Sequence, residues 1–155
     1  MEQENNSKKL GHWDENSFLF KKEMLSGDVG YSIDFDGVQK HKERGYIIWE
    51  FLLCEKNQFV DPYTSHPNRY WHKNKNKFIR LFELSKKLEA TLYLVNYAKS
   101  GTIHEDKILA IKVLSIDPVK GVSEQQIKKF TRASFKQWYR GLNEESNTLL
   151  SNDNI

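Results

Sequence analysis

Cysteine is almost missing from this 155-residue chain: Cys54 stands alone. A single thiol excludes an internal disulfide and any zinc cluster built on cysteine, and it suits a reducing cytoplasm. Long apolar runs are missing as well. Nothing approaches the roughly 18 residues needed to span a bilayer, and the opening Met-Glu-Gln-Glu-Asn-Asn-Ser-Lys-Lys lacks the apolar stretch of a signal peptide. Proline occurs three times, at Pro62, Pro67 and Pro118, each where a regular element is expected to break. A large excess of one charge is also lacking, since the formal net charge is only +3. Global charge therefore gives no argument for a nucleic-acid partner, and only its local distribution does.

What is present is a chain able to build a core, with 38% hydrophobic residues and 13% aromatics, four of them Trp. No internal repeat or domain-sized linker interrupts it, so one domain over 1–155 is expected, with flexible tails at 1–10 and 143–155. Residues 14–25 read as a helix, with Asp14 as N-cap, Phe18, Leu19, Met24 and Leu25 as a buried face, and Ser26-Gly27 as the stop. Residues 30–35 read as a strand ending at Asp36-Gly37, and 38–45 as a polar hairpin connection. The run Tyr-Ile-Ile-Trp-Glu-Phe-Leu-Leu-Cys at 46–54 is apolar on both faces, as in a strand covered by helices on either side. After a loop at 55–68, a long helix over 69–90 carries Phe78, Leu81, Phe82 and Leu88. Strands are expected at 91–97, parallel to 46–54 through the helical crossover, and at 108–116. Ser123 with Gln126 three residues on has the capping-box pattern of a last helix reaching about Gly141. The expected fold is α/β: a central mixed four-stranded sheet flanked by helices, in the order α-β-β-α-β-β-α.

Acids are uncommon inside strands because a buried charge is costly unless something pairs it. Yet Asp34 and Asp36 close the first expected strand, and Glu50 sits inside the strongest one. Alternation puts Asp34 and Asp36 on one face and groups Ile48, Glu50 and Leu52 on a face of the next strand. Paired through the hairpin, these carboxylates would repel, and a cation would relieve the repulsion. Mg²⁺, bound through one or two carboxylates plus phosphate, suits such a set. Ordinary chemistry competes with this reading: Asp before Gly is a common turn, and Glu50 can be a buried acid paired with Lys or Arg.

An acid at the end of one strand, an acid inside the next, then a helix and a parallel strand resembles the PD-(D/E)xK nuclease superfamily, whose fold is restriction-endonuclease-like. The resemblance covers roughly 14–116. It implies Mg²⁺ (or Mn²⁺) held by Asp36 and Glu50 with Asp34 as accessory acid, and hydrolysis of phosphodiester bonds, with DNA as the expected substrate. It also implies a lysine two residues after the second acid. Leu52 occupies that position, and a hydrocarbon side chain cannot assist an attacking water. The lysine is known to relocate to the following helix in this superfamily, where Lys75 and Lys77 are available. Lys75 is the expected substitute, because it lies three residues before Phe78 and seven before Phe82, on the sheet-facing stripe. Glu15 and Glu23 are candidates by position alone for the further acid such nucleases often carry on their first helix. The alternative on the same fold is a binding module, for nucleic acid or protein, in which Leu52 marks lost catalysis.

Two basic clusters offer phosphate contacts: Lys40, Lys42 and Arg44 with His41, and Arg69, His72, Lys73 and Lys77 with Lys75 and Arg80. Tyr70 and Trp71 beside the second cluster could stack on unpaired bases, or simply fasten the helix start to the sheet. His41, His66 and His104 have no metal-ligand spacing to another His or Cys. Cys54 reads as a buried structural thiol. The last helix, basic and aromatic, is left open between packing on the sheet, a homodimer contact and a phosphate-binding face.

Overall fold

The computed structural model describes residues 15–54 and 61–152. It divides into two compact units, Met1–Ser32 and Ile33–Ile155. In the first, α1 spans Glu15–Leu25 and ends at Ser26 and Gly27, both with positive φ (49° and 91°). The expected cap Asp14 and the tail 1–10 lie outside the described residues. The expected buried face does not form, and no residue of α1 is buried. The reason is local: one turn beyond Phe18 the helix presents Lys21 and Lys22, so no continuous apolar stripe exists.

The second unit is a mixed five-stranded sheet in the order β1-β2-β3-β4-β5 with helices on both faces. Strand β1 (Gly37–His41) pairs antiparallel with β2 (Gly45–Leu53), and β2 runs parallel to β3 (Thr91–Tyr97). The crossover between them is a 3₁₀ turn at Pro67–Tyr70 followed by α2 (Trp71–Lys87). Strands β4 (Ile108–Asp117) and β5 (Gly121–Phe130) continue the sheet antiparallel, and α3 (Arg132–Asn152) follows.

Both faces of β2 are covered, as its apolar pattern requires. On one face, Ile48, Leu92, Leu94, Leu109 and Ile111 pack with Phe78, Leu81 and Phe82 of α2. On the other, Ile47, Trp49, Tyr93 and Val95 pack with Phe135, Trp138, Tyr139 and Leu142 of α3. Trp138 meets Trp49 and Tyr93 edge-on, at centroid separations of 5.7 and 5.4 Å. This settles packing on the sheet as one role of the last helix.

Three expectations about the elements are corrected. The first strand is 37–41 rather than 30–35, and the hairpin turn is correspondingly tight. Buried His41 accepts the backbone N–H groups of Glu43 and Arg44 through Nδ1 (3.1 Å each), its Nε2 meets Glu145, and Gly45 supplies φ +72°. The stretch 121–130 is a fifth strand, not the start of a helix. Its Glu124, Gln125, Gln126, Lys128 and Lys129 suit the solvated edge of a sheet. A tight hairpin generates it, in which Asp117 Oδ1 accepts the N–H groups of Val119 and Lys120 (2.8 and 2.9 Å) and Gly121 reverses the chain at φ +104°. Finally, α3 begins at Arg132 and continues past Gly141, because buried Leu142 extends its packed face, so the expected tail from 143 is helical as far as Asn152.

Candidate functional site

Asp36 lies immediately before β1, where the edge strand stops pairing with β2. Its backbone N–H donates to the Trp49 carbonyl (3.1 Å). Its Oδ2 accepts the N–H of Phe51 (2.7 Å), so the side chain caps the β1–β2 ladder and the carboxylate is held beside β2. Glu50, between those two β2 residues, points to the α2 face and is only 3% exposed. Lys77 of α2 reaches it and forms an ion pair with Oε1, while Oε2 is buried with no hydrogen-bond partner.

Burial pushes the Glu50 carboxyl above its ordinary range. Lys77 opposes this by hydrogen bond and charge, and the negative charges of Asp36 and Asp34 add to the rise. An acid placed here is costly for folding unless something pairs it, and Lys77 pairs only one of its two oxygens.

Around Glu50 a cleft of about 400 Å³ opens between the end of β2, residue 65 and the first turns of α2. Ser65, Tyr70, Lys73, Asn74 and Lys77 line it with Glu50, Leu52 and Cys54. Lys73 and Lys77 are one helical turn apart and so share a side of α2. Burial, with a smaller contribution from Cys54, pushes the Tyr70 hydroxyl up to about 12, so it stays protonated at neutral pH. Burial also raises the Cys54 thiol, in keeping with a structural role rather than a nucleophile. Asn96, buried in β3, holds the adjoining loop by donating to the carbonyls of Pro62 (3.3 Å) and Ser65 (2.6 Å).

The structure gathers some of the expected residues and disperses others. Lys75 is exposed on α2, and Lys77 is the lysine at Glu50. Lys75 does flank the buried stripe, but on the side of Phe82; Lys77, four residues before Leu81, flanks the side that faces β2. Asp34 is exposed in a segment that is not a strand, so alternation does not place it with Asp36. Arg69 donates to the Thr64 carbonyl (2.8 Å), and His66 caps the 3₁₀ turn by accepting from the Asn68 N–H. His72 is exposed at the start of α2. Lys40, Lys42 and Arg44 lie at the opposite end of the β1–β2 hairpin, with Arg44 about 20 Å along the strand direction from Glu50 at roughly 3.3 Å per residue. Asn74 carries no signal in the sequence, since no periodicity separates it from any other polar residue of a helix.

The residues that could take part in holding a divalent cation are Glu50 and Asp36. Oε2 of Glu50 lacks a protein partner, and Asp36 supplies a second hard oxygen donor within electrostatic reach. Among the described residues no three His, Cys, Asp or Glu converge closely enough to hold an ion. An ion held here would need water and phosphate to complete its shell, as Mg²⁺ does when one or two carboxylates bind it. No family model, curated protein or solved structure matches this chain. Among the described residues, no helix is long and apolar enough to cross a membrane.

Proposed function

We propose that this protein is a Mg²⁺- or Mn²⁺-dependent nuclease of PD-(D/E)xK type, hydrolysing phosphodiester bonds of nucleic acid, with DNA the first substrate to test. The observation that carries this reading is the buried Glu50 carboxylate, one oxygen on Lys77 and the other unpartnered, with the anchored Asp36 beside it. A cation bound by Asp36 and Glu50 would neutralise phosphate charge and acidify a bound water.

Lys77 takes the role that Leu52 cannot. Its ammonium has three donors, of which one engages Glu50, and its side chain is 40% exposed to the cleft. The remaining donors are available to orient a water or hold a phosphate oxygen. Lys73 and Asn74 extend that polar wall by one turn of α2.

The test is cleavage of single-stranded, double-stranded and branched DNA, and of RNA, with Mg²⁺ and with Mn²⁺. Cleavage that requires metal and vanishes in Glu50→Gln and Asp36→Asn supports the assignment. Complete inactivity on every substrate, together with no Mn²⁺ binding by calorimetry, would overturn it. Salt-sensitive binding of nucleic acid without cleavage or metal dependence would leave a binding module on this fold.

A further inference from the structure

On the face of the sheet opposite Glu50, a cavity of about 590 Å³ lies between β2, β3 and β4 and the first half of α3. Its floor is Phe51, Val95, Tyr97 and Ile108, its roof is Phe135 and Tyr139, and Asp36 stands in its wall. Asp36 thus belongs both to the carboxylate site and to this cavity, because its anchor is the N–H of Phe51. The cavity's aromatic residues Phe51, Tyr97, Phe135 and Tyr139 are half-buried, whereas Val95 and Ile108 beneath them are buried. Phe135 and Tyr139 stack on each other (5.7 Å), whereas Tyr97 has no ring partner among the described residues.

Charge completes the picture. Arg132, Lys136 and Arg140 recur every four residues and so form one stripe along α3 at the cavity edge. Arg132 is tied to the carbonyls of Glu105 (3.0 Å) and Ala98 (2.7 Å), which fixes the start of the helix. Lys136 and Arg140 are exposed and make no ion pair among the described residues. An aromatic slot rimmed by the exposed cations Lys136 and Arg140 matches the two halves of a nucleotide: a ring to stack and a phosphate to hold.

We propose that this cavity accepts an unpaired base of a single-stranded nucleic acid, stacked against Tyr97, with the adjoining phosphates on Lys136 and Arg140. Resting on the nuclease reading, this places the strand across Asp36 and makes unpaired nucleic acid the substrate class. Bases stacked in a duplex cannot enter the slot without being unpaired, which sets the preference.

Fluorescence anisotropy of a short labelled oligothymidylate and of a duplex of equal length, on full-length Glu50→Gln, tests it. The single strand is expected to bind about tenfold or more tighter than the duplex. Tyr97→Leu is expected to remove most of that preference, at about fivefold or more for one lost stacking contact. Tyr97→Phe should restore it, and Lys136→Glu with Arg140→Glu should weaken single-strand binding. Equal affinity for both probes, or single-strand binding indifferent to Tyr97→Leu and to the charge reversals, would overturn the proposal. Mn²⁺ calorimetry on the otherwise unaltered protein separates the two ideas. Metal binding lost in Asp36→Asn with no strand preference sinks only the base slot. Strand preference without metal binding supports the slot and sinks only the nuclease.

Discussion

Lys77 of α2 and Glu50 of β2 form an ion pair in which only one carboxylate oxygen is engaged, the second being buried without a partner. The pair joins elements that the sequence separates by a loop, and it sits where Leu52 leaves the expected lysine missing. Its chemistry can be probed one side chain at a time.

Lys77→Met should lower the metal-dependent cleavage rate by about 100-fold or more, the usual contribution of a positioned proton-transfer or orienting group. Lys75→Met, on the exposed side of α2, should change it by less than about threefold. Steady-state rates on one substrate decide between the two lysines. Equal losses would refute the assignment of Lys77.

Leu52 shares the Glu50 face of β2 and lines the same cleft. Leu52→Lys introduced into Lys77→Met should therefore recover part of the lost rate, while Leu52→Met in that background should not. Rescue would establish that the helix lysine and the strand position serve one water.

Glu50 has a raised folded-state pKa, caused first by burial. Between the ordinary value of 4.5 and the raised one, the folded state binds more protons than the unfolded state. Glu50 thus favours folding when protonated, and this contribution is lost as pH rises through that window. Glu50→Gln should have a melting temperature at neutral pH equal to or above that of the unaltered protein, and the gap should narrow as pH falls toward 4.5. Inactivity combined with retained stability would mark Glu50 as functional. A large loss of stability would mark it as structural.

The same shift predicts the acidic limb of activity. Cation binding requires the ionised carboxylate, so Mn²⁺ affinity and cleavage should fall at a pH above 4.5 as Glu50 takes up a proton. Isothermal titrations across pH measure it.

Asn68 clasps the start of β5, accepting the Val122 N–H (2.8 Å) and donating to its carbonyl (2.9 Å). Asn68→Ala should cost about 1–3 kcal/mol by leaving buried backbone groups unpaired. Gly121→Ala should be at least as harmful, since a methyl group there would collide with Asn68 and the backbone has φ +104°. Denaturant midpoints report both.

The strands whose side chains are buried are legible in the chain alone. Residues 91–97 coincide with β3, and 46–54 and 108–116 fall within one residue of β2 and β4, because apolar and β-branched runs between helices have few other uses. Asp36 and Glu50 are legible there too, since acids beside or within apolar strands conflict with burial. Where local chemistry is ambiguous, packing between distant segments sets the outcome. Polar stretches at 38–41 and 121–130 became edge strands because a neighbour supplied hydrogen bonds that no periodicity records. Lys77 rather than Lys75 met Glu50 because both flank the buried stripe of α2, and only docking sets which flank faces β2. The cavity beside Asp36 needs three strands and α3 assembled at once, and no segment of the chain carries its outline alone.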